Sequence, residues 1–220
     1  MSPRRSDPLM RVTLLEAGAR LLAEEGPCAL STRRLAATVG TSTTAVYTHF
    51  GGMEDLIRAM VREGFARLDR ALAAVATTAD PVADAVVLGY AYRENARENP
   101  HLYSVMFGGS ALGGFALTDD DRQHGRYTLE SLVDAVRRAM AAGRFHGSDP
   151  SFIAEQMWIA VHGLATLELG GYLVAPYDPD TSYRGQLETL LIGAGDAPAE
   201  AATSMKIGTQ RYLLAREFFM

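Results

Sequence analysis

Residues 31–50 read STRRLAATVGTSTTAVYTHF and carry the clearest structural pattern of the chain. Ser31 can cap a helix at its start, and Gly40 divides the stretch into two segments of about eight residues each. Within the first segment, Leu35 and Val39 form an apolar pair one helical turn apart. The stretch therefore predicts two short helices joined by a glycine-containing turn.

The second of these helices has an apolar side and a hydroxyl-rich side. Val46 and Phe50 can face inward with Ala45, whereas the opposite side is polar. Two short helices with this division are typical of the helix-turn-helix motif, in which hydroxyl groups and a helix N-terminus suit phosphate and base-edge contacts. The alternative is a small helical subdomain with a solvated threonine face. The residues of the polar side are Thr43, Thr44, Tyr47 and Thr48.

Composition limits the class of protein. The chain has 220 residues, of which 48% are hydrophobic and 21% charged, so one or two ordered globular domains are expected. The single cysteine, Cys28, excludes an intrachain disulfide and an all-cysteine zinc site. No apolar run reaches the ~18 residues of a transmembrane helix, and the start lacks the apolar core of a signal peptide. We therefore expect a cytoplasmic protein with no membrane partner, no metal and no cofactor.

Charge and periodicity indicate two parts of an all-α chain. Residues 1–50 carry six arginines and four acidic residues, although the whole chain has a net charge of −5. A mildly basic N-terminal part on an acidic body suggests different partners for the two parts, or it arises by chance. Helical spacing of apolar residues continues through most of the chain, and residues 118–142 read as one continuous helix that ends at Gly143.

The residues around the two short helices resemble the DNA-binding domain of TetR-type transcriptional regulators. The resemblance covers about residues 9–58, and its most diagnostic part is Tyr47, His49 and Phe50 followed by Glu54-Asp55-Leu56. The other matching runs are Ser31-Thr32-Arg33-Arg34-Leu35-Ala36 and Gly40-Thr41-Ser42.

This resemblance implies an all-α architecture: a three-helix helix-turn-helix domain plus a helical-bundle domain that binds an effector and dimerises. It also implies a homodimeric repressor that a small, moderately apolar effector releases from a palindromic operator in double-stranded DNA. The corresponding boundaries are 9–52 for the DNA-binding domain, 53–195 for the effector-binding and dimerisation domain, and 196–220 for a partly helical C-terminal tail.

The resemblance also assigns DNA contacts to particular residues. Ser42, Thr43, Thr44 and Tyr47 correspond to the recognition helix, and Tyr47 and His49 match positions that commonly touch the DNA backbone. One position departs from the family, because Met53 stands where a lysine usually meets a phosphate, so we expect a weaker salt dependence of DNA binding. From the residues alone, Arg33 and Arg34 also suit backbone contacts. The expected DNA-binding residues are Ser31, Thr32, Arg33, Ser42, Thr43, Thr44, Tyr47, Thr48 and His49.

Two later stretches, 99–107 and 158–163, resemble the body of one TetR subgroup and imply a pocket and dimerisation through the last two body helices. Aromatic and soft apolar side chains with one or two polar groups suit a moderately apolar small molecule. The alternative is that these side chains only pack the core. The expected effector-binding residues are Tyr103, Met106, Phe107, Phe115, Trp158 and His162.

Residues 156–167 are apolar nearly all round a helix, so that helix must be buried on more than one side. We expect a two-fold four-helix interface formed with the following helix; a central helix in a monomeric bundle is the alternative. The expected interface residues are Ala160, Gly163, Leu164, Leu167, Leu187, Leu190 and Leu191.

Two other classes of protein stay open at this point. A small helical enzyme could use His162 with Glu155, and it would show turnover without DNA affinity. A helical adaptor would bind no specific DNA sequence, against which the hydroxyl-rich side at 42–48 argues. No second histidine, cysteine or acidic residue lies at ligand spacing near His162, so no metal site is expected there. We expect a regulator rather than an enzyme.

Overall fold

The computed structural model describes residues 7–107, 112 and 115–217, and these residues form eleven α-helices and no strand. A 3₁₀ helix, Pro27–Ala29, follows the first of them. The all-α class predicted from the sequence is confirmed. The helices are α1 (Pro8–Glu25), α2 (Thr32–Val39), α3 (Thr43–Phe50), α4 (Met53–Ala73), α5 (Pro81–Glu98), α6 (Pro100–Met106), α7 (Asp119–Tyr127), α8 (Glu130–Ala141), α9 (Pro150–Leu169), α10 (Pro179–Gly193) and α11 (Pro198–Glu217).

Four of these helices begin with the same two-residue signal, an aspartate followed by a proline. The aspartate carboxylate accepts a hydrogen bond from a backbone N–H of the first turn, and the proline fits the first helical position because its missing N–H would have no partner there. The four pairs are Asp7-Pro8, Asp80-Pro81, Asp149-Pro150 and Asp178-Pro179.

The chain forms two compact units. The first contains the described residues up to 67 and those from 99 to 125; the second contains residues 68–98 and the described residues from 126 onward. Helix α4 therefore contributes residues to both units. Within the first unit, α6 packs on α1, and α4 approaches α1 at Gly18. The domain boundaries 9–52, 53–195 and 196–220 stay predictions.

In the first unit, α1 packs on α2 and α6, and α2 packs on α3. Leu14 and Leu35 are completely buried in this core. Gly18 lets α1 approach α4 closely, since a Cβ at Gly18 would lie 3.2 Å from Met60 Sδ and 3.6 Å from Leu56 Cδ2. Each large apolar side chain buried here stabilises the fold by about 1.5–3 kcal/mol, which holds the two short helices in place.

In the second unit, α5 is the central helix and packs on α8, α9 and α11. Every residue from 81 to 88 is buried. Arginine–carboxylate networks join the helices around it. Asp84 of α5 accepts hydrogen bonds from Arg138 Nη1 of α8 at 3.0 Å and from Arg211 Nη1 of α11 at 2.6 Å. Arg144 Nη2 bonds to Asp196 Oδ2 at 2.7 Å.

Two features differ from the pattern read in the sequence. The single helix expected over 118–142 is two helices, because the chain makes a tight turn at residues 128 and 129, where Leu129 N bonds to Arg126 O at 3.0 Å. Thr128 is buried at this turn, so tertiary packing breaks the helix without a glycine or proline. The tail expected from residue 196 contains a 20-residue helix, α11, that packs along α5.

Candidate nucleic-acid interface and effector cavity

Local hydrogen bonds define where α2 and α3 begin. Ser31 Oγ accepts a bond from Arg34 N at 3.2 Å, and Ser42 Oγ accepts one from Ala45 N at 3.2 Å. Each serine therefore caps one helix of the pair. Both are among the expected DNA contacts, and the structure gives their hydroxyl oxygens this capping role in the chain.

Gly40 determines the turn between the two helices. It has φ +73° and ψ 35°, a left-handed conformation that costs glycine little and other residues more. Thr41 N bonds to Ala36 O at 2.9 Å, which gives α2 a Schellman-type end. The direction of α3 is thus set by backbone hydrogen bonds rather than by side-chain packing alone.

Helix α3 exposes the polar side that the sequence predicts. Val46 and Phe50 are buried, whereas Thr43, Thr44, Tyr47 and Thr48 are exposed, and 53% of the Tyr47 surface is accessible. The Thr48 hydroxyl donates to Thr44 O at 2.8 Å and keeps lone pairs that can accept. These side chains form one exposed face, which we call the α3 face.

Two arginines at the start of α2 differ in their surroundings. Arg33 is exposed, whereas Arg34 Nη2 lies 3.0 Å from Glu25 Oε1 and 2.9 Å from Glu25 Oε2. The Glu25 carboxylate already neutralises Arg34, so Arg33 is the better candidate for a phosphate contact. Thr32, between Ser31 and Arg33, is half-buried.

His49 lies at the end of α3 beside the core. Its ring centroid is 6.1 Å from that of Phe50, and its Nδ1 is buried with no hydrogen-bond partner in the described part of the chain. The guanidinium of Arg11 lies 4.9 Å from the Phe50 ring centroid, so a cation–π contact connects α1 to the end of α3.

Met53 is the first residue of α4 and is half-buried. The first turn of α4 carries Glu54 and Asp55, and Asp55 Oδ1 lies 3.7 Å from Arg58 Nη1. With Met53 in place of a lysine, this helix start presents two carboxylates and no nearby lysine. The weaker salt dependence of DNA binding expected from Met53 stays a prediction.

The second unit contains an apolar cavity of about 40 Å³. This is smaller than the roughly 150 Å³ of an apolar cavity that binds benzene, so a larger ligand must displace wall side chains. Trp158, the only tryptophan of the chain, is part of the wall. The wall consists of Leu72, Ala85, Val86, Leu88, Gly89, Tyr92, Thr128, Leu129, Leu132, Met157, Trp158, Val161, Leu187, Leu190 and Leu191.

A polar pair borders this cavity. Tyr92, a wall residue, has its Oη 3.0 Å from His162 Nδ1, and the Trp158 and His162 rings stack with centroids 5.7 Å apart. Burial lowers the pKa of His162 below its usual value because it disfavours the charged imidazolium. Of the six residues expected to bind the effector, Trp158 lines the cavity, and His162 contacts both Trp158 and Tyr92.

The other four expected effector residues belong to the first unit. Tyr103 and Met106 are buried, and the ring of Phe107 lies 5.5 Å from that of Tyr103 and 5.6 Å from that of Phe65. Phe115 is half-buried, with the guanidinium of Arg58 5.3 Å from its ring centroid. Tyr103, Met106 and Phe107 thus take part in the core packing of that unit.

The residues expected at the dimer interface also separate into groups. Leu164, Leu187 and Leu191 are buried within the single chain, and Leu187, Leu190 and Leu191 line the cavity. Leu167, also in the expected set, is exposed on α9, together with Phe152, Ile159 and Leu169, which are not in that set; Ile192 is exposed on α10. Ala160 and Gly163 are half-buried, and a Cβ at Gly163 would meet no atom within 4 Å.

Two other kinds of site are absent from the described residues. No group of three or more histidine, cysteine, aspartate or glutamate side chains among them has a geometry that could hold a metal ion. None of the helices that the structure describes combines the length and apolar character needed to cross a bilayer.

The capped helix pair and the exposed α3 face define a helix-turn-helix DNA-binding protein. Residues 14–60 match the family model of bacterial regulatory proteins of the tetR family, and residues 85–190 match that of the tetracyclin repressor-like C-terminal domain. Together the two models match more than two thirds of the chain. The chain belongs to the TetR family of transcriptional regulators. Members are transcription factors rather than enzymes, and they bind DNA and small-molecule effectors and form dimers.

Individual relatives agree with this assignment. The chain is 29% identical over 177 residues to the uncharacterised HTH-type transcriptional regulator Rv0681 of Mycobacterium tuberculosis, which covers 78% of this chain and 76% of the relative. A protein of unknown function from Rhodococcus sp. RHA1 superposes with a TM-score of 0.72 at 27% identity, covering 89% of this chain and all of the other. The fold also matches that of the TetR-family regulator PfmR from Thermus thermophilus, with a TM-score of 0.67 at 21% identity over 81% of this chain and 97% of the other.

Proposed function

We propose that this chain is a homodimeric repressor that binds a palindromic operator through the α3 face and leaves it when a small, moderately apolar effector enters the cavity of the second unit. The single observation that carries the proposal is the exposed α3 face on a capped helix. A dimer places two such helices in successive major grooves, so a two-fold protein selects an inverted repeat.

The residues of the α3 face divide by the kind of contact they suit. Thr43 and Thr44 lie at the N-terminal end of the helix, where recognition helices reach base edges. Tyr47, one turn later, and Arg33 on α2 suit phosphate oxygens. Base contacts specify sequence and phosphate contacts position the protein, so changes at the two groups have different effects.

A competition experiment with operator variants tests this division. Thr44→Val is expected to change the order of preference among operator variants, whereas Tyr47→Ala lowers affinity for all of them by a similar factor. Thr38→Val is the matched control, because Thr38 is exposed on α2 and its hydroxyl already donates to Arg34 O at 2.9 Å. If Thr44→Val and Thr38→Val behave alike, α3 does not read the sequence.

The exposed apolar residues of α9 support the dimer. Phe152, Ile159 and Leu167 are 60%, 49% and 47% exposed and lie along one side of the helix, and Gly163 between them leaves room for a close partner. Such a row of large apolar side chains is costly in water and typical of a helix–helix interface. We assign the interface to these residues together with the exposed side of α10.

Light scattering on two matched variants tests the interface. Ile159→Glu places a charge in the proposed interface and is expected to give a monomer of about half the mass. Ile207→Glu, at an isoleucine of α11 that is 38% exposed, leaves the dimer intact. A dimeric Ile159→Glu protein would reject this interface.

Helix α4 offers the route from the cavity to the DNA-binding helices. Leu72 near its end lines the cavity, and its first residue, Met53, follows α3 after two glycines. Because the cavity is small, an effector that enlarges it must move wall residues such as Leu72, and α4 transmits the shift. A coupling of about 1–3 kcal/mol would lower operator affinity by about 5–150-fold.

Trp158 reports on the cavity without a label. A compound that releases the operator is expected to change Trp158 emission at the same concentrations, and Trp158→Phe is expected to shift its release curve. Compounds that release DNA while Trp158 emission stays constant would place the effector site elsewhere.

A further inference from the structure

Tyr183 of α10 has a completely buried side chain, with 0% of its surface exposed. Its hydroxyl oxygen has no hydrogen-bond partner within the described residues. A buried hydroxyl without a partner has lost its hydrogen bonds to water and has made none with the protein, so its burial is unfavourable. The hydroxyl group therefore needs a reason to be there that packing does not supply, because phenylalanine fills nearly the same volume.

The hydroxyl lies beside Gly89, a wall residue of the apolar cavity, although Tyr183 itself is not one of the wall residues. A Cβ added to Gly89 would be 2.5 Å from Tyr183 Oη and 3.7 Å from Leu187 Cδ2. Gly89 and Leu187 both line the cavity. The absence of a side chain at Gly89 is what leaves space for the phenol. A ligand that widens the cavity at Gly89 would therefore come next to the Tyr183 hydroxyl.

The neighbouring tyrosine, Tyr90, is also buried, but its hydroxyl has a hydrogen-bond partner, unlike that of Tyr183. Tyr90 packs edge-on against Tyr183 with ring centroids 4.9 Å apart. Tyr90 Oη lies 3.2 Å from Thr209 Oγ1 and is satisfied within the chain. On the cavity side, Tyr92 Oη has His162 Nδ1 as a partner.

The chemistry around the cavity limits what can bind Tyr183. None of the described residues that line the cavity is charged. The guanidinium of Arg93 lies 5.1 Å from the Tyr183 ring centroid, but Glu168 and Asp180 already accept its hydrogen bonds. A carboxylate ligand would lose its water without gaining a free cation, whereas an uncharged oxygen on an apolar frame suits this wall.

The hydroxyl acts as a donor here. Burial raises the pKa of Tyr183 well above its usual value, so the phenol keeps its proton. A neutral phenol O–H donates to a carbonyl oxygen. A carbonyl group has no donor hydrogen that would itself need an acceptor in the apolar cavity.

We propose that the Tyr183 hydroxyl is the hydrogen-bond donor that selects the effector, and that the effector is a small uncharged compound with one acceptor oxygen, such as a ketone carbonyl, directed at the wall beside Gly89. This inference rests on the proposed function, because it names the class of compound that the cavity takes and the residue that recognises it.

The test uses the full chain without DNA and two isosteric probes, cyclohexanone and methylenecyclohexane. Dissociation constants for both come from Trp158 fluorescence and are checked by thermal shift. The hydrocarbon is the more apolar probe, so the informative quantity is the ratio of the two constants in each protein. In Tyr183→Phe the preference for the ketone is expected to fall about tenfold, the loss of one neutral hydrogen bond.

Tyr90→Phe is the matched control, since it removes a buried hydroxyl that already has a partner. Its ketone preference stays as in the wild type, while its melting temperature falls. Tyr183→Phe is expected to melt at the wild-type temperature or higher, because it removes an unsatisfied group.

Three results would overturn the proposal: an unchanged ketone preference in Tyr183→Phe, a clear loss of thermal stability in that variant, or no binding of either probe to the wild type at millimolar concentration. None of them bears on DNA binding. A chain that selects no operator would instead overturn the proposed function and leave the probe ratio as measured.

Discussion

Replacing the buried arginine of α5, Arg93, is expected to destabilise the second unit by several kcal/mol. Arg93 is 4% exposed, and its Nε and Nη2 lie 2.7 and 2.8 Å from the two Glu168 oxygens, while Nη1 lies 2.6 Å from Asp180 Oδ1. Burial disfavours its charge, but hydrogen bonds to the two carboxylates outweigh this and raise the pKa of Arg93. The group joins α5 to α9 and α10, the helices around the cavity.

Arg93→Met removes the cation and leaves Glu168, whose side chain is only 15% exposed, without its main partner. Breaking a buried pair from one side costs about 3–5 kcal/mol. We expect about 3 kcal/mol, the lower end, because Arg97 Nε remains 3.8 Å from Glu168 Oε1. For a chain of this length the melting temperature then falls by about 6–12 °C.

The double variant Arg93→Met/Glu168→Met separates two causes of lost stability: the unpaired charge left on Glu168, and the loss of the packing contacts of the arginine side chain. With both charges gone, no buried ion is left unpaired, and stability is expected to return to within about 1 kcal/mol of the wild type. Asp180→Asn is expected to cost less than about 1 kcal/mol, because the Asp180 side chain is 69% exposed. Chemical denaturation measures all three. A double variant no more stable than Arg93→Met would show that the loss of stability does not come from an unpaired Glu168 carboxylate.

Four further substitutions have expected outcomes. Met53→Lys adds one phosphate contact per protomer. It is expected to steepen the slope of the logarithm of the operator-binding constant against the logarithm of salt concentration by about 0.9 per protomer. Fluorescence anisotropy measures this slope, and Met53→Gln is the uncharged control. Gly40→Ala forces a left-handed alanine and is expected to cost about 1–2 kcal/mol in urea unfolding. Gly193→Ala, at the end of α10 with no atom within 4 Å of the added Cβ, is expected to be neutral or stabilising. Burial lowers the pKa of His162 from its ordinary value of 6.5, so the unfolded chain binds a proton at this residue more readily than the folded chain. The contribution of His162 to stability is therefore present above pH 6.5 and is lost as the pH falls through the lowered pKa of the folded protein. His162→Gln is expected to flatten the pH dependence of the unfolding free energy between about pH 7.5 and pH 5.

Where the sequence predicts structure well, the signal is local. The caps at Ser31 and Ser42 and the turn at Gly40 depend on hydrogen bonds between residues at most four positions apart. They can therefore be predicted from the amino-acid sequence. The same holds for the exposed side of α3, because Val46 and Phe50 leave only one orientation for an eight-residue helix. The DNA-binding function follows from this local pattern.

Where the sequence predicts poorly, the cause lies in packing between distant residues. Residues 156–167 are apolar all round, so the sequence cannot tell which side faces the core, and Ile159 proves exposed while Leu164 is buried. The turn at 128–129 has no local breaker. The role of Tyr183 depends on Gly89, a residue 94 positions earlier, whose missing side chain leaves the space. No short-range signal could have joined that pair.

If the α3 face reads base edges, the protein selects a specific inverted repeat. Selection from a random duplex pool measures this, with the full chain and its Thr43→Val/Thr44→Val variant run in parallel. We predict that the wild type enriches an inverted repeat whose half-sites lie about one helical turn, or a multiple of it, apart. The double variant is predicted to enrich a different sequence at the same spacing. A pool with no enriched repeat, or the same repeat from both proteins, would contradict the account.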